Sequence, residues 1–155
     1  MMKMISHRGN ISGREKNLEN NPTRIEEAIH KGFDCEIDLR VLIKKNKKPE
    51  FYLGHDKMEY LINSMWLEKH SDKLWIHCKN VEALAQLSTY SNLFNFFWHQ
   101  NDDYTLTSKG YPWVYPGKMV PSNGIFVLPE ECDLELSSIR DMTIFGVCSD
   151  FIGDI

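Results

Sequence analysis

The chain contains no apolar run that approaches the length needed to cross a membrane, which is about 20 residues for a helix. Its first residues, Met1 to Ser6, run directly into a polar segment and lack the apolar centre of an export signal. Internal repeats, low-complexity tracts and linker-like segments are also missing. With 155 residues, the chain is therefore expected to form one domain over residues 1–155, without a membrane span.

Cysteine pairs of the C-x-x-C type are absent as well. The four cysteines, Cys35, Cys78, Cys132 and Cys148, are widely spaced, which argues against a zinc knuckle. Three of them lie in apolar runs typical of strands, where a free thiol behaves as a small core residue. We therefore expect a reducing, cytoplasmic location.

An excess of basic residues is lacking too. The sequence has 18 Lys and Arg against 22 Asp and Glu, a net charge of -4 and a pI near 5.8, whereas binding to a nucleic-acid backbone needs a basic face. The one basic cluster, at residues 44–48, lies between two strand-like runs and is typical of a solvated hairpin tip. These features argue against nucleic acid as a partner and leave the oligomeric state open.

Strand and helix patterns alternate through the first half of the chain. Residues 2–6 resemble a buried strand, and a capping box at Thr23 begins a helix that Gly32 ends. The segment 33–43 is the next strand, with a hairpin partner at 51–53. The further predicted elements are a helix over 58–69, a strand over 74–78, a helix over 81–90 and strands over 93–98, 104–107, 113–115, 125–128 and 143–148.

This alternation favours a parallel sheet with helices outside it. Without the hairpin partner there are about eight predicted strands, the number found in a (β/α)8 barrel. After residue 92, however, the segments between strands are short. The expected fold is therefore α/β, a compact (β/α)8 TIM-like barrel in which several helices of the second half are reduced or missing.

Two carboxylates share one face of the second predicted strand. Glu36 and Asp38 are two residues apart, so their side chains point the same way, whereas Cys35, Ile37 and Leu39 point to the other, apolar side. Burying two carboxylates is costly without a cation, and oxygen ligands suit Mg²⁺ or Ca²⁺. A Glu-x-Asp pair taken alone more often faces water, so the prediction of a metal site depends on the segments around it.

Three further polar segments fall at the ends of predicted strands, namely His7-Arg8-Gly9, Gly54-His55-Asp56 and His77-Cys78-Lys79. His7 and His55 could supply a general base and a general acid. Arg8 and Lys79 could hold a phosphate. A single histidine at a strand end is usually a hydrogen-bonded surface residue, and it is the order and spacing of all the segments that indicate a site.

The ordered set resembles the glycerophosphodiester phosphodiesterase family, within the phosphatidylinositol-specific phospholipase C-like barrels. That family has an HRG strand end, a P-E-N-T-like loop, a G-x-D-x-E-x-D strand, a hairpin ending in His-Asp and an E-x-K strand. The matching segments here are His7-Arg8-Gly9, 19–23, 32–38, His55-Asp56 and His77-Cys78-Lys79, and Ser149-Asp150 is similar to a late Thr-Asp step. The resemblance covers about residues 4–80 and is loose beyond them.

The resemblance implies roles for five residues: metal binding by Glu36 and Asp38, acid–base work by His7 and His55, and phosphate contact by Lys79. His77 stands where the family has a third metal-binding glutamate. Histidine removes one negative charge and favours softer ions such as Mn²⁺ or Zn²⁺. The expected cofactor is thus a divalent metal ion, Mg²⁺ or Ca²⁺ before Mn²⁺ or Zn²⁺, with His77 as a direct ligand in preference to a position behind a metal-bound water.

Three residues outside the early motifs are further candidates for the substrate site. His99 ends a predicted strand and would lie at the mouth of the site. Trp113 resembles a tryptophan in a late strand of the family and could pack on a glycerol or sugar group, or it could be a core residue. Lys118 follows a Pro-Gly turn that could bring it to an anion.

The predicted function is metal-dependent hydrolysis of a small phosphodiester such as a glycerophosphodiester, by a phosphoric diester hydrolase. A neighbouring substrate hydroxyl could replace water and release a cyclic phosphate, as in the related sphingomyelinase D-like enzymes. The alternative from another class is a non-catalytic domain that binds phosphate or sugar. His77 and the short second half favour that alternative, whereas retention of both histidines and both carboxylates favours the enzyme.

Overall fold

The computed structural model describes residues 2–155 as one mixed sheet that curls into a half-barrel, with few and short helices. The strands are β1 (Lys3–His7), β2 (Asp34–Leu42), β3 (Glu50–Leu53), β4 (Tyr60–Ile62), β5 (Leu74–Cys78), β6 (Asn95–Trp98), β7 (Tyr104–Leu106), β8 (Pro112–Val114), β9 (Ile125–Val127) and β10 (Gly146–Ser149). The helices are α1 (Pro22–His30), α2 (Ser64–Lys69) and α3 (Val81–Ser88), and 3-10 segments cover Pro129–Glu131, Leu136–Asp141 and Ile152–Asp154.

Along the curl the strands follow the order β6-β5-β2-β1-β10-β9-β8-β7. All neighbours in this row are parallel except β8 and β7. β3 pairs antiparallel with the carboxyl half of β2, beyond the end of β1, and β4 pairs antiparallel with β3. The two ends of the row approach each other, because the Ser108 N–H donates to the Phe96 carbonyl at 2.7 Å. The carboxyl ends of the parallel strands therefore surround a common mouth.

The prediction of a compact (β/α)8 TIM-like barrel with some helices of the second half reduced or missing is wrong. Helical segments of all kinds make up 23% of the chain, and within residues 2–155 no α-helix follows β6. Only residues 99–103 join β6 to β7, and residues 115–124 join β8 to β9, whereas a crossover between parallel strands takes a dozen or more residues when it carries a helix. The chain instead returns through β7, antiparallel to β8, and the link from β9 to β10 forms 3-10 segments.

Two asparagines change predicted helix boundaries. The segment 58–69, predicted as one helix, divides into β4 and α2 because Asn63 accepts the Trp66 N–H at 2.8 Å and begins a new helix there. The first helix begins at Pro22, one residue earlier than predicted. Asn21, rather than Thr23, is its N-cap, and Pro22 occupies the first turn, where a missing N–H costs no hydrogen bond.

The alternation of β2 separates an apolar layer from a polar one. Cys35, Ile37 and Leu39 are fully buried in the core beneath α1 and α3, while Glu36 and Asp38 point into the curl. Toward the amino ends of the strands the inside of the curl is filled by a second apolar cluster that includes Ile5, Trp75, Phe97, Trp113 and Ile125. The polar residues thus collect at the carboxyl ends of the strands, above an apolar floor.

Three sequence expectations outside the site can be compared directly with the fold. In the part of the chain that the structure describes, none of the helices combines the length and apolarity needed to span a membrane. The lysine-rich residues 44–48 lie exposed in the turn between β2 and β3, as predicted. All four cysteines have free thiols, and Cys35, Cys78 and Cys148 are buried, which confirms that these three are core residues.

Candidate functional site

A cavity of about 420 Å³ opens inside the curl at the carboxyl ends of the parallel strands. Eight of the ten candidate residues named from the sequence line it, namely His7, Arg8, Glu36, His55, His77, Lys79, His99 and Trp113. Of the other two, Asp38 is fully buried and contacts Arg8 and His77, and Lys118 lies outside the cavity. The other lining residues are Gln100, Tyr115, Val127, Leu128 and Glu131. The fold therefore brings segments that are far apart in the chain to one place.

The predicted metal ligands lie on two adjacent parallel strands. Asp38 of β2 is paired in register with His77 of β5, and Glu36 precedes Asp38 by two residues on the same face. One potential ligand atom from each of these three residues lies within 4.8 Å of the other two. Alternation along β2 and parallel register between β2 and β5 are thus sufficient to form the group.

The ring of His77 is held in one orientation from its far side. Its Nε2–H donates to the carbonyl oxygen of His99 at 3.0 Å, and the ring stacks on Phe97 with centroids 4.9 Å apart. Nδ1 is then unprotonated, 3.4 Å from Asp38 Oδ1 and 3.9 Å from Glu36 Oε1. Burial lowers the pKa of His77 to about 4, so the ring is neutral at pH 7 and its lone pair is available to a cation.

In the group formed by Glu36, Asp38 and His77, buried carboxylate oxygens lie close together with no hydrogen-bond donor between them among the residues described. Glu36 Oε2 and Asp38 Oδ1 have no hydrogen-bond partner among residues 2–155, although buried oxygens are normally paired. Burial raises the pKa of Glu36, and the adjacent charge of Asp38 raises it further. Burial acts on Asp38 in the same direction, but Arg8, His77 and the hydrogen bond from Asn20 together outweigh it, so the pKa of Asp38 is lowered. Two carboxylates and a neutral imidazole fit a divalent metal ion.

His7 is oriented by the carboxylate of Asp150. Its Nδ1 lies 2.7 Å from Asp150 Oδ1, which also accepts from Asn10 Nδ2 at 2.7 Å. Because an ionised carboxylate only accepts hydrogen bonds, Nδ1 carries the proton, and Nε2 lies 3.8 Å from Glu36 Oε2. Burial lowers the pKa of His7, but the bond to Asp150 and the charge of Glu36 outweigh burial, and the net shift is upward.

His55 reaches the cavity from the loop after β3. Its Nδ1 bonds Asp56 Oδ1 at 2.7 Å, which leaves Nε2 for a second partner, and its side chain is 39% exposed. Arg40 fixes the loop by donating to the carbonyls of Gly54 and His55. Gly54 has φ +147°, and a Cβ there would lie 2.1 Å from the Lys57 carbonyl oxygen, so only glycine fits. The two histidines thus share one arrangement, with Nδ1 on a carboxylate and Nε2 available.

Arg8 is engaged by protein carboxylates. Its Nη1 donates to Glu19 Oε2 at 3.0 Å, and its Nε lies 2.8 Å from Asp38 Oδ2 in an ion pair that lacks hydrogen-bond geometry. Glu19 also accepts from Arg14 at 2.7 Å. Although Arg8 lines the cavity, these contacts make it a partner of Asp38 before it is a partner of a phosphate.

The two lysines considered from the sequence differ in their availability. Lys79 lines the cavity, is half-buried and has no carboxylate within 4 Å among the residues described. Lys118 pairs with Asp103 at 3.1 Å and does not line the cavity. Lys79 is therefore the lysine placed to meet an anion, and the suggested role of Lys118 has no support in the fold.

The two aromatic candidates on the opposite wall have different surroundings. His99 stacks on Tyr115 with centroids 3.7 Å apart, and its Nε2 bonds the Asp102 carbonyl. Its Nδ1 is buried and has no hydrogen-bond partner among residues 2–155. Trp113 is 2% exposed and packs on Phe97, so it is a core residue that presents a small part of its ring to the cavity.

Four polar residues that complete the site carried no assigned role from the sequence, and they are Asn10, Glu19, Asn20 and Asp150. Glu19 and Asn20 belong to the loose P-E-N-T-like loop, and Asp150 to the late Ser-Asp step. These two similarities were the only signals for them. Nothing about Asn10 in the sequence distinguishes it from the other asparagines of the loop.

Comparison of the chain with protein-family models, with curated proteins and with solved structures gave no match. A function for this chain is therefore inferred from the geometry of the cavity and from the chemistry of its side chains.

Proposed function

We propose that this chain is a metal-dependent phosphodiesterase that hydrolyses a small phosphodiester, such as a glycerophosphodiester, and that it is related to the family its early motifs resemble. One observation carries the proposal. Glu36 and Asp38 each have a buried oxygen without a hydrogen-bond partner among residues 2–155, and they lie next to His77. The cavity that Glu36 and His77 line also contains His7 and His55, whose Nε2 atoms are available. A domain that only binds phosphate has no need of two histidines oriented in this way.

A divalent ion would be held by Glu36, Asp38 and His77, and when bound it would draw electron density from the phosphoryl oxygens. Lys79 adds a positive charge on the same wall and would contact a phosphate oxygen. His99, which also lines the cavity, would lie beside the alcohol part of the substrate. This combination favours a phosphodiester whose alcohol carries hydroxyls.

His7 and His55 would perform the proton transfers. One histidine, neutral, would remove the proton of the attacking hydroxyl with its Nε2, and the other, as the imidazolium, would donate its Nε2 proton to the departing alcohol oxygen. Asp150 and Asp56 would hold the rings with Nδ1 protonated, which keeps each Nε2 directed at the substrate. The attacker would be water, or a neighbouring hydroxyl of the substrate that yields a cyclic phosphate. Phosphorus NMR of the product distinguishes the two.

The four free thiols favour a cytoplasmic setting.

Activity should depend on a divalent ion. EDTA should abolish release of p-nitrophenol from bis(p-nitrophenyl) phosphate, and Mg²⁺, Ca²⁺ or Mn²⁺ should restore it, because the ligand group has unpaired buried acceptors. Circular dichroism in EDTA would check that the metal-free protein remains folded. Turnover that persists in EDTA, in protein shown by mass spectrometry to be metal-free, would contradict the proposal. Metal binding without turnover of this substrate or of a glycerophosphodiester would favour the non-catalytic domain.

His77→Glu should tighten the binding of Mg²⁺ and Ca²⁺ by about tenfold or more. The substitution adds a negative charge to the ligand group. A tenfold gain in affinity corresponds to ~1.4 kcal/mol, which is less than the ~4 kcal/mol by which two opposite unit charges attract each other at 4 Å and an effective dielectric of 20. The preference for Mn²⁺ or Zn²⁺ over Mg²⁺ should fall. Calorimetric titration measures both. His30→Glu, which adds the same charge on the exposed end of α1, should leave both unchanged.

A further inference from the structure

Asp38 is held by groups that leave one of its oxygens unpaired. Asn20 Nδ2 donates to Asp38 Oδ2 at 2.9 Å, and Asn20 Oδ1 accepts the backbone N–H of Asp38 at 2.8 Å. Both bonds come from the side-chain amide of Asn20, and together they form a clamp on Asp38. Arg8 Nε also lies 2.8 Å from Oδ2. Asp38 Oδ1, 3.4 Å from His77 Nδ1, has no partner among residues 2–155.

We infer that Asn20 is a positioning residue of the metal centre, which fixes the carboxylate of Asp38 so that Oδ1 alone faces the cation. This inference rests on the proposed metal site and adds a residue that does not touch the metal. Partners that orient a metal ligand are typically worth about 10- to 100-fold in metal affinity. Asn20 would therefore matter for metal binding although it donates no ligand atom.

The chemistry of position 20 explains why an asparagine fits there. The clamp needs a donor for Oδ2 and an acceptor for the N–H on the same short side chain, which a carboxamide provides and a carboxylate does not. Asn20 also has φ +62°, a backbone conformation that asparagine and glycine tolerate better than most residues. Its own N–H donates to the Arg8 carbonyl at 3.0 Å, so the loop 8–20 is closed against the end of β2.

Asn20 and Arg8 act on Asp38 in different ways. Arg8 supplies charge that lowers the pKa of Asp38, but its Nε contact lacks hydrogen-bond geometry. Asn20 is neutral and supplies two directional bonds. Orientation of Asp38 can therefore be altered at position 20 without removing the positive charge beside it.

Asn20→Gly removes the clamp and keeps a residue that accepts positive φ. We expect the Kd of Mn²⁺, measured by calorimetry at 25 °C on the full chain, to rise about 10- to 100-fold. Asn46→Gly is the matched control, because Asn46 has φ +59° in the exposed turn after β2 and touches no site residue. That variant should bind Mn²⁺ with the Kd of the wild type. Unfolding temperatures in EDTA are measured for both, since a purely structural role would lower stability and leave Kd unchanged.

In a second variant, Asn20→Asp, the direction of the change in Mn²⁺ affinity is informative. The new carboxylate still accepts the Asp38 N–H, but next to Asp38 Oδ2 it puts a second negative charge where Asn20 has a donor. An effect of charge alone would tighten Mn²⁺ binding, whereas loss of orientation should weaken it. Unchanged affinity in folded Asn20→Gly, or tighter binding in Asn20→Asp, would overturn the inference and leave the metal site standing. Absence of Mn²⁺ binding by the wild type would instead overturn the proposed metal site itself.

Discussion

Replacing His7 with alanine should lower the turnover of bis(p-nitrophenyl) phosphate by about two to four orders of magnitude, the usual size of a general acid–base contribution. His55→Ala should have an effect of the same order. In both residues Nδ1 is bound to a carboxylate and Nε2 is left to exchange a proton with the substrate. Steady-state kinetics with saturating metal would measure the loss, which should appear in kcat more than in KM.

Metal binding separates this role from a structural one. Neither histidine belongs to the ligand group, so calorimetry should find that both variants bind the ion with nearly wild-type affinity. His30→Ala is the control, because His30 is exposed at the end of α1, outside the cavity, and its turnover should be that of the wild type. Near wild-type turnover in both His7→Ala and His55→Ala would show that acid–base catalysis resides elsewhere or is absent.

The proximity of Glu36 and Asp38 could be predicted from the sequence because the periodicity of a strand determines it. Side chains alternate along a strand, so Glu36 and Asp38 had to share a face if β2 formed. The apolar character of Cys35 and Ile37 indicated which face was inside the core. His77 was added to this group by the family resemblance, and the parallel pairing of β2 with β5 places it level with Asp38.

The residues that orient the site could not be predicted in this way. Asn20 is 18 residues from Asp38 in the chain, and Asp150 is 143 residues from His7. Both contacts depend on how a loop closes and on which strands become neighbours, and β10 next to β1 is a pairing of the two ends of the chain. No local pattern encodes such contacts. Only the resemblance pointed toward the segments that contain them.

The prediction of a (β/α)8 barrel failed for a related reason. Counting apolar runs identified most strands correctly, but the count says nothing about direction. β7 is antiparallel to β8 because residues 107–111 are too few for a crossover. The shortness of the links between β6 and β9 was visible in the sequence, and it excludes α-helices there, whereas the longer link from β9 to β10 forms 3-10 segments. The site tolerates this loss because its ligands and both histidines come from β1, β2, β5 and the loop after β3.

Glu36→Ala and Asp38→Ala should each abolish metal-dependent turnover and weaken metal binding by more than the roughly 100-fold that orienting partners are worth. Each substitution removes a ligand oxygen and one negative charge from a buried group. The thermal response should change as well. At a metal concentration 100-fold above Kd, binding stabilises the wild type by about 2.7 kcal/mol, which for a chain of this size is about 5 to 10 °C in Tm. That metal-induced shift should disappear.

The metal-free proteins give a sharper test, because without metal the substitution of Glu36 should leave the unfolding temperature unchanged or raise it. Glu36 and Asp38 are buried with unpaired oxygens, and a buried charge without a cation destabilises the fold. In EDTA, Glu36→Ala should therefore unfold at or above the temperature of the wild type, although it loses side-chain packing. Asp133→Ala, which removes an exposed carboxylate outside the cavity, should change neither Tm nor metal affinity. Unchanged metal affinity in both Glu36→Ala and Asp38→Ala would refute the metal site, and the proposed phosphodiesterase would lose its main support.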